Sequence, residues 1–244
     1  MRYKFLAVFI WIFVIAGCSK TATEYFELAE ASLNEDQVEI AVENLEVLVA
    51  KYPQDSLAAL ALYKLATIHL NWRNDLSAGF SALEKTVSEY GSSPQAKQAQ
   101  KEIADFPEWI LNQSESLRKK KMIKESLGHL LYLTEKYSDH KITPKGQYLI
   151  GDIYMNDLRD FTTAIQEYRK VSEKHKGSDQ EPHAQFMIGY IFGNIINDFE
   201  SAKIEYETFL NMFPEHELVP SVQFEIEYLG KNINEIPALK HITS

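Results

Sequence analysis

Five stretches of this 244-residue chain close in the same way: VAKYPQDS, VSEYGSSP, TEKYSDHK, SEKHKGSD and NMFPEHEL. Their aromatic or histidine landmarks are Tyr52, Tyr90, Tyr137, His175 and Phe213. The intervals from Tyr52 to Tyr90, from Tyr137 to His175 and from His175 to Phe213 are equal, and the one from Tyr90 to Tyr137 is nine residues longer. A fixed period of this size means supersecondary units that cannot bury their apolar faces alone. Such units must stack on their neighbours.

The register continues inside each unit. Eleven residues before each landmark stands a small residue: Ala41, Gly79, Ser126, Ala164 and Ala202. Leu45, Leu83, Leu130, Tyr168 and Tyr206 follow four positions later, and Leu48, Thr86, Leu133, Val171 and Phe209 three after those. This spacing puts all three on one face of a helix, helix B, with the small residue where two backbones approach closely. A preceding helix A is marked by Tyr25, Tyr63, Ile110, Tyr148 and Phe186, each at the same separation before its landmark. Three of these segments read YKLATIH, YLIGDIY and FMIGYIF, with Ala66, Gly151 and Gly189 as the small residues. Asp75, Asp160 and Asp198 fall just before helix B, where a carboxylate accepts from free N–H groups. Asn71, Asn156 and Asn194 recur near the end of helix A and are expected to close it in the left-handed conformation.

These residues resemble the tetratricopeptide repeat, a helix-turn-helix unit of about 34 residues with small residues in both helices and Pro at its end. Pro53 and Pro214 match that final position. The resemblance covers residues 24–230 and implies an all-α, TPR-like helical-repeat superhelix of about five helix pairs. Phe224 lies one full period after Phe186, so a sixth helix A is expected to cap the array, ending at Gly230. Residues 231–244 (KNINEIPALKHITS) read as a polar, Pro-broken tail. The nine extra residues of the long period fall in GSSPQAKQAQKEIADFPEWI. They predict an extended or broken helix interrupted at Pro107, with a bend near 91–110.

The segment 1–17 reads as a targeting sequence. Arg2 and Lys4 precede an apolar run, FLAVFIWIFVIA, too short for a bilayer span. Ile15-Ala16-Gly17-Cys18 resembles the lipobox of bacterial lipoproteins, which implies cleavage before Cys18 and its acylation. The segment 18–23 then forms a tether. Cys18 is the chain's one cysteine, which leaves no thiol for a disulfide or a nucleophile in the folded body. Two or three acyl chains suffice for stable anchoring. Without Arg2 and Lys4 the remainder holds 23 basic against 35 acidic residues, a net charge of −12. Such a surface repels nucleic acid and anionic headgroups.

No P-loop, G-x-G-x-x-G, H-E-x-x-H or G-x-S-x-G pattern occurs. An enzyme is not expected, nor a cofactor, a metal site or a small-molecule substrate. His140, His175 and His216 fall in equivalent loops about a repeat apart and read as solvated rather than metal-binding. Arg118 to Lys121, with Lys124, form the one basic run, read as a solvated turn or as a docking patch for an acidic partner. The TPR resemblance implies that helix A positions facing a concave groove contact partners. Thr67, Asp152 and Tyr190 are candidates, since they differ between units while core positions repeat.

The opening unit, YFELAEASLNEDQVEIAVENLEVLVAKYPQDSLAALALYKLATIHL, together with the lipobox, resembles the BamD family of outer-membrane assembly lipoproteins. That resemblance implies a membrane-anchored scaffold for envelope proteins, the β-barrel assembly machine among them. Residues Gly146 to Gly230 are similar to the TPR part of the CpoB (YbgF) family, which implies coordination of envelope constriction or peptidoglycan synthesis. A TPR lipoprotein of another envelope complex is the third reading. Ser19, in place of the Asp that retains lipoproteins at the inner membrane, implies the outer membrane of a diderm host, with the repeats facing the periplasm.

Overall fold

The computed structural model describes residues 20–231. The signal segment, Cys18 and residues 232–244 of the expected tail lie outside the described residues. Regular structure among the described residues is entirely helical. The helices are α1 (Ala22–Asn34), α2 (Val38–Lys51), α3 (Ala58–Asn71), α4 (Leu76–Glu89), α5 (Pro94–Ala104), α6 (Phe106–Lys119), α7 (Ile123–Lys136), α8 (Thr143–Asp152), α9 (Phe161–Lys174), α10 (Gln180–Ile191), α11 (Phe199–Met212) and α12 (Val219–Glu227). Five antiparallel hairpins result: α1–α2, α3–α4, α6–α7, α8–α9 and α10–α11. The fold is a helical repeat of TPR type. Two compact units divide the chain, Met1–Ile103 and Ala104–Ser244.

Helix B follows its sequence pattern at every landmark. All five copies are 14 residues long. The small-large-large positions, from Ala41, Leu45 and Leu48 to Ala202, Tyr206 and Phe209, are all buried. Each landmark residue is the C-cap of its helix. Its N–H donates to the carbonyl of the last seam residue, as Tyr52 does to Leu48 and His175 to Val171, both at 2.8 Å. Small and large residues are matched across each hairpin. A Cβ added to Gly151 or Gly189 would stand 2.6 Å from a ring carbon of Tyr168 or Tyr206 respectively. Burying an aromatic ring of this kind contributes roughly 1.5–3 kcal/mol, so the absent glycine side chain is part of the core.

The aspartates cap helix B as expected. Asp75, Asp160 and Asp198 accept from the N–H groups of Ala78, Thr163 and Ser201 at 2.9, 3.0 and 3.1 Å. The asparagines do not close helix A. The left-handed residue lies three positions later, at Asn74, Arg159 and Asn197, with φ of 52°, 56° and 61°. Asp36 and Lys121 take the same place in the first and third hairpins.

The displacement has a geometric cause. Helices α8 and α10 run on into π-helical turns, Ile153–Leu158 and Phe192–Ile196, which absorb one extra residue before the chain reverses. The closing bond then reaches six residues back, from Asp160 N–H to the Tyr154 carbonyl and from Asp198 to Phe192, both at 2.9 Å. Asp75 to His69 closes the second hairpin over the same span. In the first and third hairpins, Gln37 and Met122 reach five back, to Ser32 and Leu117. There the buried small residues are Ala29 and Ser114, seven rather than eight positions before the left-handed residue. Tyr25 and Ile110 are therefore one residue out of structural register with Tyr63, Tyr148 and Phe186.

The nine extra residues form α5. The break falls at Asp105, and Pro107 sits in the first turn of α6, where its missing N–H costs nothing. Helix α5 is fastened to α3 by Tyr63, whose hydroxyl donates to Glu102 at 2.5 Å. Burial and the adjacent carboxylate push the Tyr63 phenol up to about 12.

Candidate functional site

A cleft of about 420 Å³ within the first compact unit is bounded by α2, α3 and α4. Leu62 and Leu65 of α3 form its floor, and Val49, Ala50, Ala78 and Ala82 its walls. Glu46, Ser81, Lys85 and Glu89 stand at the rim. The space exists because alanines occupy wall positions where longer chains would meet. His69, one turn below Leu65, also lines it, and its Nδ1 is buried with no hydrogen-bond partner. A buried polar atom without a partner is uncommon enough to need a reason, and a ligand group entering the cleft would supply one.

The repeat provides an internal control. The positions equivalent to Glu46, Leu62 and Ala82, three repeats further along, are Arg169, Gln185 and Glu205. The Gln185 amide donates to the Glu205 carbonyl at 3.0 Å and to its carboxylate at 2.9 Å. Arg169 pairs with the same carboxylate. Gln147 and Glu167 repeat the clamp one unit earlier, at 3.1 and 2.8 Å. Both glutamates are buried. Each satisfied clamp fills the position that the first unit leaves open.

The sequence-selected residues are placed elsewhere. Thr67 returns its hydroxyl hydrogen bond to the Tyr63 carbonyl of its own helix, at 3.1 Å. Tyr190 is half-buried and packs against the core of Tyr168, Val171 and Ile188. Asp152 accepts from the Tyr168 hydroxyl at 2.6 Å. Its backbone carbonyl and carboxylate both face the Arg118 guanidinium. Burial pushes its carboxyl above the usual carboxylate range, opposed by Tyr168 and Arg118. Asp152 therefore arrives with its hydrogen-bonding capacity largely taken by its own fold. None of the three lines the cleft.

His140 and His216 are half-buried turn residues rather than solvated ones. Their Nδ1 atoms accept from the N–H groups of Ile142 and Leu218, at 3.4 and 3.2 Å. Asp55 makes the same bond to Leu57 N–H at the equivalent position, which shows the role to be structural. His175 is the C-cap of α9. No group of three metal-ligating side chains occurs among the described residues. In the basic run Arg118 is engaged, its Nε donating to Asp157 at 2.6 Å. Lys119, Lys120, Lys121 and Lys124 are exposed.

Residues 146–178, spanning most of the α8–α9 hairpin, match the tetratricopeptide repeat family model. No curated protein matches the chain. Solved structures with some likeness include a tetratricopeptide repeat protein from Parabacteroides merdae, 14% identical over 85% of this chain and 72% of that one, with a TM-score of 0.37. PilF of Pseudomonas aeruginosa is 12% identical over 91% of this chain and 96% of its own, at 0.37. The MamA RS-1 ArsTM double mutant is 14% identical over 82% and 98%, at 0.34. At these identities and scores the likeness bears on no partner.

Proposed function

We propose that this chain is a lipid-anchored envelope scaffold that seats a protein partner in the α2–α3–α4 cleft. The observation that carries this reading is the cleft itself. It is preformed, apolar at its floor and polar at its rim, with an unpartnered imidazole nitrogen inside, while equivalent positions further along are closed by their own side chains. A repeat of helical hairpins supplies surface, and specificity then lies in individual side chains.

The anchor is Cys18, on the strength of the lipobox. The resemblance of the first unit favours a BamD-like role in outer-membrane protein assembly, since α2 and α3, which supply one side of the cleft, lie in that stretch. The similarity of residues 146–230 to CpoB favours the second reading, a coordinator of envelope constriction or peptidoglycan synthesis.

Two experiments test this. Cys18→Ala should move the protein from the membrane to the soluble fraction; retention in the membrane would remove the anchor from the account. Full-length protein, crosslinked mildly in its own envelope and purified, should bring down a central outer-membrane barrel protein. Recovery of peptidoglycan synthesis or Tol-Pal proteins with no barrel would replace the assembly role with the coordinating one.

A further inference from the structure

The five turns between helix A and helix B are structurally equivalent, each centred on its left-handed residue. Their charges can therefore be compared position by position. The windows 34–39 (NEDQVE), 72–77 (WRNDLS), 157–162 (DLRDFT) and 195–200 (IINDFE) carry −3, 0, −1 and −2. The window 119–124 (KKKMIK) carries +4 in a protein of net charge −10.

Helix electrostatics explain part of this. Lys119 ends α6, where a cation complements the helix dipole. Lys124 lies in the first turn of α7, the end at which a cation is disfavoured and at which three other hairpins place an aspartate cap. Lys121 holds the left-handed position without the local hydrogen bonding of Asn or Asp. All four lysines are exposed, and none forms an ion pair among the described residues. Helix electrostatics account for the lysines that end α6 but not for Lys121 or Lys124.

A second feature adjoins the lysines. A recess of about 190 Å³ opens between α6, α7, α8 and the π turn that follows it, lined by Ser114, Ser126, Leu130, Leu149 and Ile153 and by Glu115, whose carboxylate is paired with Lys145 at 2.9 Å. Lys119 stands at its mouth, and Arg118 beside it is already held by Asp157. The free positive charge is thus placed against an apolar recess large enough for one aliphatic side chain.

We infer that this third turn is a docking site for an acidic polypeptide segment, one in which Glu or Asp flanks an aliphatic residue. The carboxylates meet Lys119, Lys120, Lys121 and Lys124, and the aliphatic side chain enters the recess. The inference rests on the scaffold reading in taking the partner to be a polypeptide, but the site is separate from the α2–α3–α4 cleft. A surface charge cluster of this kind acts on encounter rate and specificity and weakens with salt.

The test is fluorescence anisotropy with a labelled EELEEL peptide and the whole protein without its signal segment. EELEEL should bind more tightly than QQLQQL, which lacks the charge, and than EEGEEG, which lacks the side chain for the recess. The variant K119E/K120E/K121E/K124E should weaken binding by roughly tenfold or more, and higher salt should weaken it in the unaltered protein. K97E/K101E, the same exchange at two lysines of α5, should leave it intact. Should the quadruple variant fail to fold by circular dichroism, K119Q/K120Q replaces it with the same expected direction. Equal binding of all three peptides, or an unmoved affinity in the lysine variants, overturns the proposal. So does binding of phosphatidylglycerol vesicles through these lysines in place of the peptide. A failed peptide assay alongside successful recovery of an envelope partner removes this site and leaves the scaffold standing.

Discussion

The α2–α3–α4 region and the α9–α10–α11 region are built on one template, yet one is open and the other closed. Both place a small residue and two large ones on each helix B, and both bury those positions. They differ in side chains that the seam does not constrain. Leu62 and Ala82 leave a cleft where Gln185, Glu205 and Arg169 make a clamp. The repeat thus fixes the backbone, and a few substitutions decide whether a given hairpin satisfies itself or leaves its surface for another molecule. In the proposed reading, stability and binding sit at the same positions in different copies.

The clamp is broken most severely by removing one half of it. Glu205→Leu leaves the buried Gln185 amide without its carboxylate partner, and should cost about 1–3 kcal/mol in urea denaturation. Gln185→Leu with Glu205→Ala, which copies the open region at those two positions, should cost less than that single change, because the only side chain left without its partner is the half-exposed Arg169. A double variant less stable than Glu205→Leu would show that the clamp holds the hairpin by more than mutual satisfaction. The reverse exchange, Leu62→Gln with Ala82→Glu and Glu46→Arg, should close the cleft and shift stability by only about 1 kcal/mol, since the three new side chains satisfy one another. Recovery of the crosslinked partner should fall sharply; unchanged recovery would place the partner elsewhere.

The third hairpin sharpens the comparison by pH. There His129 takes the place of Ala82, Glu167 and Glu205, and its ring lies 6.3 Å from that of Trp109. Burial holds the His129 imidazole below its ordinary value, outweighing the Glu125 carbonyl beside it. Its neutral form is favoured by folding, so its contribution is fully present above the unfolded pKa of about 6.5 and is lost as pH falls through the lower folded value. Thermal stability should therefore drop modestly between pH 7.5 and 5, and His129→Leu should flatten that slope. An unchanged slope in the variant would assign the acid sensitivity to other groups.

Much of this architecture was legible because the seam is written in residue volume. Ala164, Tyr168 and Val171 state their positions directly, and Asp160 states the start of its helix through cap chemistry. The end of helix A was not legible. Asp36, Asn74, Lys121, Arg159 and Asn197 share a backbone conformation but no side-chain type, and the π turn that moves the reversal leaves no compositional mark. Asn71, Asn156 and Asn194, which recur in register in three units, drew the assignment three residues early. The candidate site was hidden for another reason. Thr67, Asp152 and Tyr190 came from the repeat resemblance as helix A positions facing a groove, and they vary between units, but variation also marks residues such as Asp152 that serve a local network. The informative columns were Leu62, Gln147, Gln185 and Ala82, Glu167, Glu205, where apolar residues in one copy stand against paired polar ones in others. Reading those two columns together would have located the cleft.

The most direct test of the account places a photo-crosslinking residue at Ser81, on the rim of the open cleft, and at its equivalent three repeats along, Ile204. Ile204 is 61% exposed, so accessibility alone would favour crosslinking there. Irradiated in the native envelope, the protein labelled at Ser81 should capture a discrete partner and that labelled at Ile204 should not. Equal capture at both positions, or capture at Ile204 alone, would contradict the claim that the open cleft is the seat of the partner.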